Sequence, residues 1–281
     1  MLIVKENKSL QKNILDLKKK GTTIGFVPTM GCLHKGHLSL INTARSMCDH
    51  LVVSIFVNPL QFGPNEDLDS YPRTPYQDQD LCSAAGVDTL FMPSSLYDED
   101  HSTFLHVQHL GSGLCGAKRP GHFDGVVTVV ARLFGFVQPD LAVFGEKDFQ
   151  QLAIIRQMVK DLGLPINIIG GTLIRDEDGL ALSSRNRYLS HIEKKRALSL
   201  SQALKHIQSK CYTSTQPLAV QDLLKEAKLL LDTDHLDYLS IVDPVNLEEL
   251  ETIDGPARAL VAAKIGSTRL IDNVDVTWRG K

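Results

Sequence analysis

The 281-residue chain has no apolar run long enough to cross a bilayer, no internal repeat and no low-complexity tract. An excess of charge of either sign is also missing. Thirty Lys and Arg against 33 Asp and Glu leave a formal net charge of −3, so no basic field supports an extended nucleic-acid surface. The five cysteines, Cys32, Cys48, Cys82, Cys115 and Cys211, are odd in number and contain no C-x-x-C pair, which argues against a disulfide framework and for reduced thiols. The opening MLIVKENKSLQKN turns polar after Val4 and has no signal-peptide core. These absences point to a cytoplasmic protein with small-molecule partners, no membrane and no nucleic acid. What is present is ordinary globular composition, 43% apolar and 22% charged, in a chain long enough to bury a substantial core as one large domain or two modest ones.

The first half alternates in period. Residues 23–28 form a short apolar run, residues 38–48 carry Leu38, Ile41, Ala44 and Met47 at helical spacing, and residues 51–57 (LVVSIFV) form a continuous apolar strand. Strands without polar alternation are buried on both faces, as in a parallel sheet covered by helices. A second unit repeats the order: a helix over 125–137, a strand over 141–144, a helix over 149–162 and a strand over 166–169. Between the two units, residues 58–75 are too rich in Pro, Asn and Asp for a regular element and long enough for a lid. The aspartates of EDLDSYPRTPYQDQD within and after it are expected to be solvated. Beyond about residue 174 the pattern changes. Ser190-x-x-Glu193 is a capping box opening a helix to about residue 210, a helix over 218–231 follows, and then come LDYLSIVD, ALVAAKI and TRLIDNVDVT as strands. The expectation is an α/β fold: a Rossmann-like parallel-sheet domain over 1–173, a smaller α+β C-terminal domain over 174–281 acting as a lid, and a hinge near Gly170 and Gly171.

Three loops carry residues suited to phosphate. The first, PTMGCLHKGH at 28–37, joins the first strand to the first helix, where glycines admit a ligand and free N–H groups face it. Its G-x-x-x-x-G spacing matches a P-loop, but His37 and Leu38 stand where that motif needs Lys and a hydroxyl, so the P-loop reading fails. What remains is His34-x-Gly36-His37, two imidazoles able to donate hydrogen bonds to phosphate oxygens as charge builds. By itself an H-x-x-H pair serves equally as a helix cap or as metal ligands. The second loop, FGEKDFQQ at 144–151, again joins a strand end to a helix start, and Lys147 there could neutralise phosphate charge. The third, DGLALSSRN at 178–186, pairs two hydroxyls with a guanidinium.

H-x-G-H followed by a Ser-Ser-Arg loop resembles the nucleotidyl-transferase branch of Rossmann-like proteins, which class I aminoacyl-tRNA synthetases share. More closely, PTMGCLHKGH, VSIFVNPLQF, YPRT, RPGHFDGV, PDLAVFGEKDFQQ and DGLALSSRN, in that order, resemble the pantothenate synthetase family over nearly the whole chain, more loosely after residue 186. The resemblance implies an ATP-dependent ligase that joins pantoate to β-alanine through a pantoyl-adenylate. It implies ATP along Met30, Gly31, Cys32, Leu33, His34, Lys35, Gly36 and His37, with Gly145, Glu146, Lys147 and Asp148, and with Ile174, Leu182, Ser183, Ser184 and Arg185. His37, His34 and Lys147 would be catalytic, and Gln61, Gln151 and Asn58 would hold the acid and amine substrates. Cys32 stands where the family leads one to expect Asn or another small residue. Mg²⁺ and a homodimer are implied too, with no metal ligands assigned. A different adenylyl or cytidylyl transferase would need extra cations for a phosphorylated acceptor, whereas the amides of Asn58 and Gln61 suit hydroxyls and a carboxylate. A tRNA synthetase would need a basic anticodon-binding domain, and a nucleotide sensor would bind ATP without turnover.

Overall fold

A computed structural model describes residues 1–64 and 66–278. In the first half β1 (Leu2–Val4), α1 (Asn7–Lys18), β2 (Ile24–Thr29), α2 (Lys35–Arg45), β3 (His50–Ile55), α3 (Pro75–Ala84) and β4 (Thr89–Phe91) are followed by α4 (Leu114–Lys118), α5 (His122–Val137), β5 (Leu141–Gly145), α6 (Phe149–Asp161) and β6 (Asn167–Gly171). The six strands are parallel, in the order β1-β4-β3-β2-β5-β6. Helices cover both faces, so Val27, Val52, Val53 and Val143 are all fully buried. On one face α1, α5 and α6 pack over Phe26 and Phe144. On the other α2 and α3 pack over Val27, Val53 and Val143. The order reverses at β2, which has β3 on one side and β5 on the other. Connections that leave adjacent parallel strands in opposite directions open a crevice at their carboxyl ends. Two of the three phosphate-suited loops leave the sheet there, after Thr29 and after Gly145.

The C-terminal part comprises α7 (His191–Thr213), β7 (Leu218–Ala219), α8 (Val220–Lys228), β8 (His235–Val242), β9 (Thr252–Ile253), β10 (Arg258–Ile265) and β11 (Thr268–Asp275). Strands β8, β10 and β11 make an antiparallel sheet with β10 central. Leu200, Leu204 and Ile207 of α7 and Leu223 of α8 bury against Ile241, Val261 and Ala263. The capping box forms as read: the Glu193 N–H donates to Ser190 Oγ at 3.3 Å, and the Ser190 N–H donates to Glu193 Oε2 at 2.8 Å. The α/β class with a smaller antiparallel C-terminal part agrees with the sequence reading.

Several elements differ from the sequence reading. β1 and β4 are three residues long, too short for a visible period, and α3 buries Asp78 and Cys82 rather than large aliphatics. The helix expected over 218–231 begins only at Val220, because Leu218 and Ala219 pair with β9. Gly170 and Gly171 are not a free hinge: they pair with Phe144 and Gly145 in the sheet. Gly171 is glycine because a Cβ there would lie 2.1 Å from Leu40 Cδ2.

The segment that follows β6 is tied to the last strand by a pair that is nearly buried on one side. The Arg175 guanidinium donates to both carboxylate oxygens of Asp272 on β11, at 2.6 and 2.8 Å, with Asp272 3% exposed. Asp272→Ala leaves that guanidinium unpaired and should cost about 2–4 kcal/mol, read as a lower urea midpoint at unchanged slope. A loss below about 0.5 kcal/mol, the range of an ordinary surface change, would show that the pair does not anchor this segment to β11.

Candidate active site

The loop after β2 is shaped by a carboxylate from α3. Thr29 Oγ1 donates to Ser54 O at 2.8 Å and accepts from the Gly31 N–H at 3.1 Å, starting the turn. Gly31 and Cys32 then take positive φ values of 81° and 52°. The next two N–H groups, of Cys32 and Leu33, both donate to Asp78, at 2.9 and 2.7 Å, and Thr74 Oγ1 donates to it at 3.1 Å. Asp78 is 1% exposed. This aspartate, expected to be solvated, is instead the anchor of the loop. Positive φ at a non-glycine residue suits Asn better than Cys, which gives the expectation of Asn at position 32 a backbone reason.

His34 and His37 cap α2 themselves. The Gly36 N–H donates to His34 Nδ1 at 3.1 Å, and the His34 N–H approaches His37 Nδ1 at 3.4 Å. Each ring accepts through Nδ1, so each neutral imidazole carries its proton on Nε2. Neither Nε2 has a protein partner among the described residues, and both rings line the cleft. The rings lie with centroids 4.1 Å apart. A Cβ on Gly36 would lie 2.9 Å from His34 Cε1, so the glycine makes room for that ring. Burial, with the nearby Lys147 ammonium, lowers His34 from 6.5 to about 4. Burial, then His34 and Lys147, lowers His37 to about 3. Both rings are therefore neutral donors at neutral pH.

The cleft they line has a volume of about 230 Å³. Of the expected nucleotide residues it brings together Met30, His34, Gly36, His37, Gly145, Lys147, Asp148, Ile174, Leu182, Ser183, Ser184 and Arg185. It does not gather Gly31, Cys32, Leu33, Lys35 and Glu146. Cys32 and Leu33 are buried with their N–H groups spent on Asp78, Lys35 is exposed, and the Glu146 carboxylate lies 3.2 Å from Arg258 of β10. Arg185 is held bidentately by Asp67 at 3.0 and 2.6 Å, and Ser184 Oγ donates to Cys32 O at 3.3 Å. Among the described residues Lys147 has only a long contact, 3.9 Å, with Asp148.

Across the cleft from the histidines sit the amides. Asn58 is 1% exposed and fully used: Nδ2 donates to Gln61 Oε1 and Gly125 O, and Oδ1 accepts from the Leu60 N–H and Tyr97 Oη. It lines the cleft but has no group left for a substrate. Gln61 Nε2 meets Met30 Sδ at 3.0 Å. Gln151 lines the cleft with no hydrogen-bond partner among the described residues. Val129, Val130 and Phe144 form an apolar wall. Reasoning from residue type missed Tyr71, Arg119 and His122, which also line the cleft and lie in the quoted YPRT and RPGH motifs. Arg119 donates to both oxygens of Glu66 and, through Nη1, to His122 Nε2 at 2.8 Å, leaving His122 Nδ1 to donate to Gln61 O at 2.8 Å. Burial and the Arg119 charge lower His122 to about 4. Among the described residues no group of three His, Cys, Asp or Glu side chains is placed to hold a metal ion.

Three imidazoles held neutral have a measurable consequence. The unfolded chain takes up protons on these rings below about pH 6.5, while the folded chain takes them up only near the values of about 4, 3 and 4. The unfolded state therefore binds more protons in that window, and stability falls as pH falls. The urea midpoint is expected to drop between about pH 7 and about pH 5, and His37→Gln should make the drop shallower. A midpoint that stays level over that window would show that the rings are not held neutral.

Residues 2–275 match the model of the pantoate-beta-alanine ligase family. A pantothenate synthetase from Desulfatibacillum aliphaticivorans is 48% identical over 97% of this chain and 98% of its own. The crystal structure of pantothenate synthetase from Thermus thermophilus superposes with a TM-score of 0.93 at 43% identity, over 99% of this chain and all of that one. A pantoate-beta-alanine ligase from Francisella tularensis, crystallised with beta-gamma ATP and β-alanine, superposes with a TM-score of 0.80 at 34% identity, over 98% of each chain. The chain belongs to the pantoate-beta-alanine ligase family.

Proposed function

We propose that this chain condenses pantoate with β-alanine at the expense of ATP, giving pantothenate, AMP and pyrophosphate. The observation that carries the reading is the convergence of two Nε2–H donors, of His34 and His37, and the Lys147 ammonium on one cleft that also holds the amides of Gln61 and Gln151. The Francisella tularensis relative's complex with an ATP compound and β-alanine supports the same substrates here. A pantoate carboxylate oxygen bonds to the α-phosphorus of ATP as the bond to the pyrophosphate oxygen breaks. Neutral histidines donate to phosphate oxygens without adding a proton to the balance, and Lys147 offsets the charge that builds on the departing pyrophosphate. The β-alanine amine then bonds to the acyl carbon, loses a proton, and AMP leaves with one former carboxylate oxygen.

The remaining assignments follow from that chemistry. His37, His34 and Lys147 act on the phosphates. Gly145, Asp148, Ile174, Leu182 and Ser183 line the nucleotide path, while Ser184 supports the Cys32 turn. Arg185 reaches a phosphate only by sharing or releasing Asp67. Gln151 and Gln61 hold pantoate against the wall of Val129, Val130 and Phe144, and Asn58 orients Gln61 rather than touching the acid. Mg²⁺ would arrive with ATP, held by phosphate oxygens and water. Asp148, 47% exposed by side chain, is the carboxylate lining the cleft that can reach it. Residues 174–281 serve as the lid domain over residues 1–173. A homodimer is proposed from the family likeness. A cytoplasmic setting suits five unpaired thiols, and among the described residues no helix is long and apolar enough to cross a membrane.

If the acyl-adenylate forms, pantoate alone should support exchange of pyrophosphate into ATP, and pantoate labelled with ¹⁸O in its carboxylate should pass label to AMP. Label confined to pantothenate and water would rule the intermediate out. A second outcome concerns the acid pocket. Gln151→Ala should lower kcat/KM for pantoate by about tenfold or more, because each unpaired polar contact costs about 1–3 kcal/mol, and leave the KM for ATP nearly unchanged. A defect confined to ATP would remove Gln151 from the acid pocket.

A further inference from the structure

Lys147 sits in a turn whose backbone is held from the other part of the molecule. The turn over Glu146–Asp148 bridges the end of β5 and the start of α6. Its carbonyls at Glu146 and Lys147 both accept from the side-chain amide of Asn273 on β11, at 3.0 and 2.9 Å. Asn273 is 3% exposed. Its Oδ1 in turn accepts from Arg258 Nε at 2.9 Å and Nη2 at 2.6 Å. The orientation of the amide follows from chemistry: a guanidinium only donates and a carbonyl only accepts, so oxygen faces Arg258 and nitrogen faces the turn. Arg258 is itself fixed, lying 4.5 Å over the Phe149 ring and 3.2 Å from Glu146 Oε2. Asp272 fixes the strand beside it by accepting the Asn273 N–H at 2.7 Å, and it is clamped by Arg175.

We propose that Asn273 is a positioning residue for the adenylation step: by holding the carbonyls of Glu146 and Lys147 it sets where the Lys147 ammonium stands relative to the histidine pair. The inference rests on the reading of Lys147 as the cation that meets the triphosphate. Asn273 touches no reacting atom. Both amide hydrogens are used on the turn and both oxygen lone pairs on Arg258, so the residue transmits the position of β11 to Lys147. Glutamine would overreach by a methylene, and an apolar residue would take both side-chain N–H donors away from the turn. A displacement of about 1 Å at a catalytic group can cost about 10²-fold in rate, so a loosened turn should be felt in kcat.

Asn273→Asp is the discriminating variant. It keeps an acceptor for Arg258, and so its anchoring, but replaces the N–H donors facing two carbonyls with a carboxylate oxygen. Steady-state pyrophosphate release from ATP, pantoate and β-alanine at saturating concentrations would be measured for the full-length wild type, Asn273→Asp, Lys147→Ala and the double variant, with urea unfolding for each. The expected result is a kcat about tenfold or more below wild type for Asn273→Asp, a urea midpoint that falls yet leaves the variant folded without denaturant, and no further loss when Asn273→Asp is added to Lys147→Ala. Should Asn273→Asp not fold, Asn273→Ala takes its place in the same cycle. A kcat within about threefold of wild type, with Lys147→Ala strongly impaired, would overturn the positioning role. So would losses that multiply in the double variant, since Asn273 would then act elsewhere. Lys147→Ala within about threefold of wild type would instead bring down the reading of Lys147 on which the proposal stands.

Discussion

The buried carboxylate of Asp78 is the constraint on which the site depends. An exposed aspartate would contribute little, but at 1% exposure its oxygens must be satisfied, and they are satisfied by the N–H groups of Cys32 and Leu33 and the hydroxyl of Thr74. Those contacts force the chain leaving β2 into two consecutive positive-φ residues before it reaches His34. Only after that reversal can the histidines cap α2 with one nitrogen each and turn the other toward the cleft. The backbone N–H groups of Cys32 and Leu33 are spent on Asp78 in building the loop, and the imidazole Nε2–H groups are the donors that line the cleft.

Electrostatics around the cleft follow a consistent division. Arg119 is neutralised by Glu66 and Arg185 by Asp67, both bidentately, so each guanidinium is fixed before any ligand arrives. Both carboxylates lie on the chain between β3 and α3, which is thereby laced to the α4–α5 turn on one side and to the C-terminal part on the other. Lys147, with only its long contact to Asp148, is the least committed cation lining the cleft among the described residues. Burial first, and the Lys147 charge after it, keep the histidines unprotonated. Neutral donors suit a step in which an anion attacks an anion, because they respond to developing charge without titrating.

The C-terminal part is more than a cover. It supplies Ser183, Ser184 and Arg185 to the cleft wall, and its last strand holds the turn that carries Lys147. The glycines that looked like a hinge are sheet residues, Gly171 packed closely against Leu40. Motion between the two parts would therefore have to break or carry along the contacts of Asn273 with the turn and of Arg258 with Glu146.

Local pattern determined a good deal by itself. Continuous apolar runs marked the central strands, the Ser190 and Glu193 spacing marked the start of α7, and the three loop motifs marked most of the cleft, because a strand buried on both faces, a cap and a turn leave signatures within a few residues. Order of motifs along the chain was enough for the family. Tertiary structure alone decided which of those residues face the cleft. Asn58 has the composition of a ligand-binding amide, yet its partners Tyr97 and Gly125 lie 39 and 67 residues away in sequence. Glu146 sits in the right motif but pairs with Arg258, 112 residues on. Asp78 reads as a solvated loop charge until α3 folds it under residues 46 and 45 positions earlier. Hydrogen-bond saturation is a property of pairs brought together by the sheet order, and no local window of sequence contains both members of such a pair.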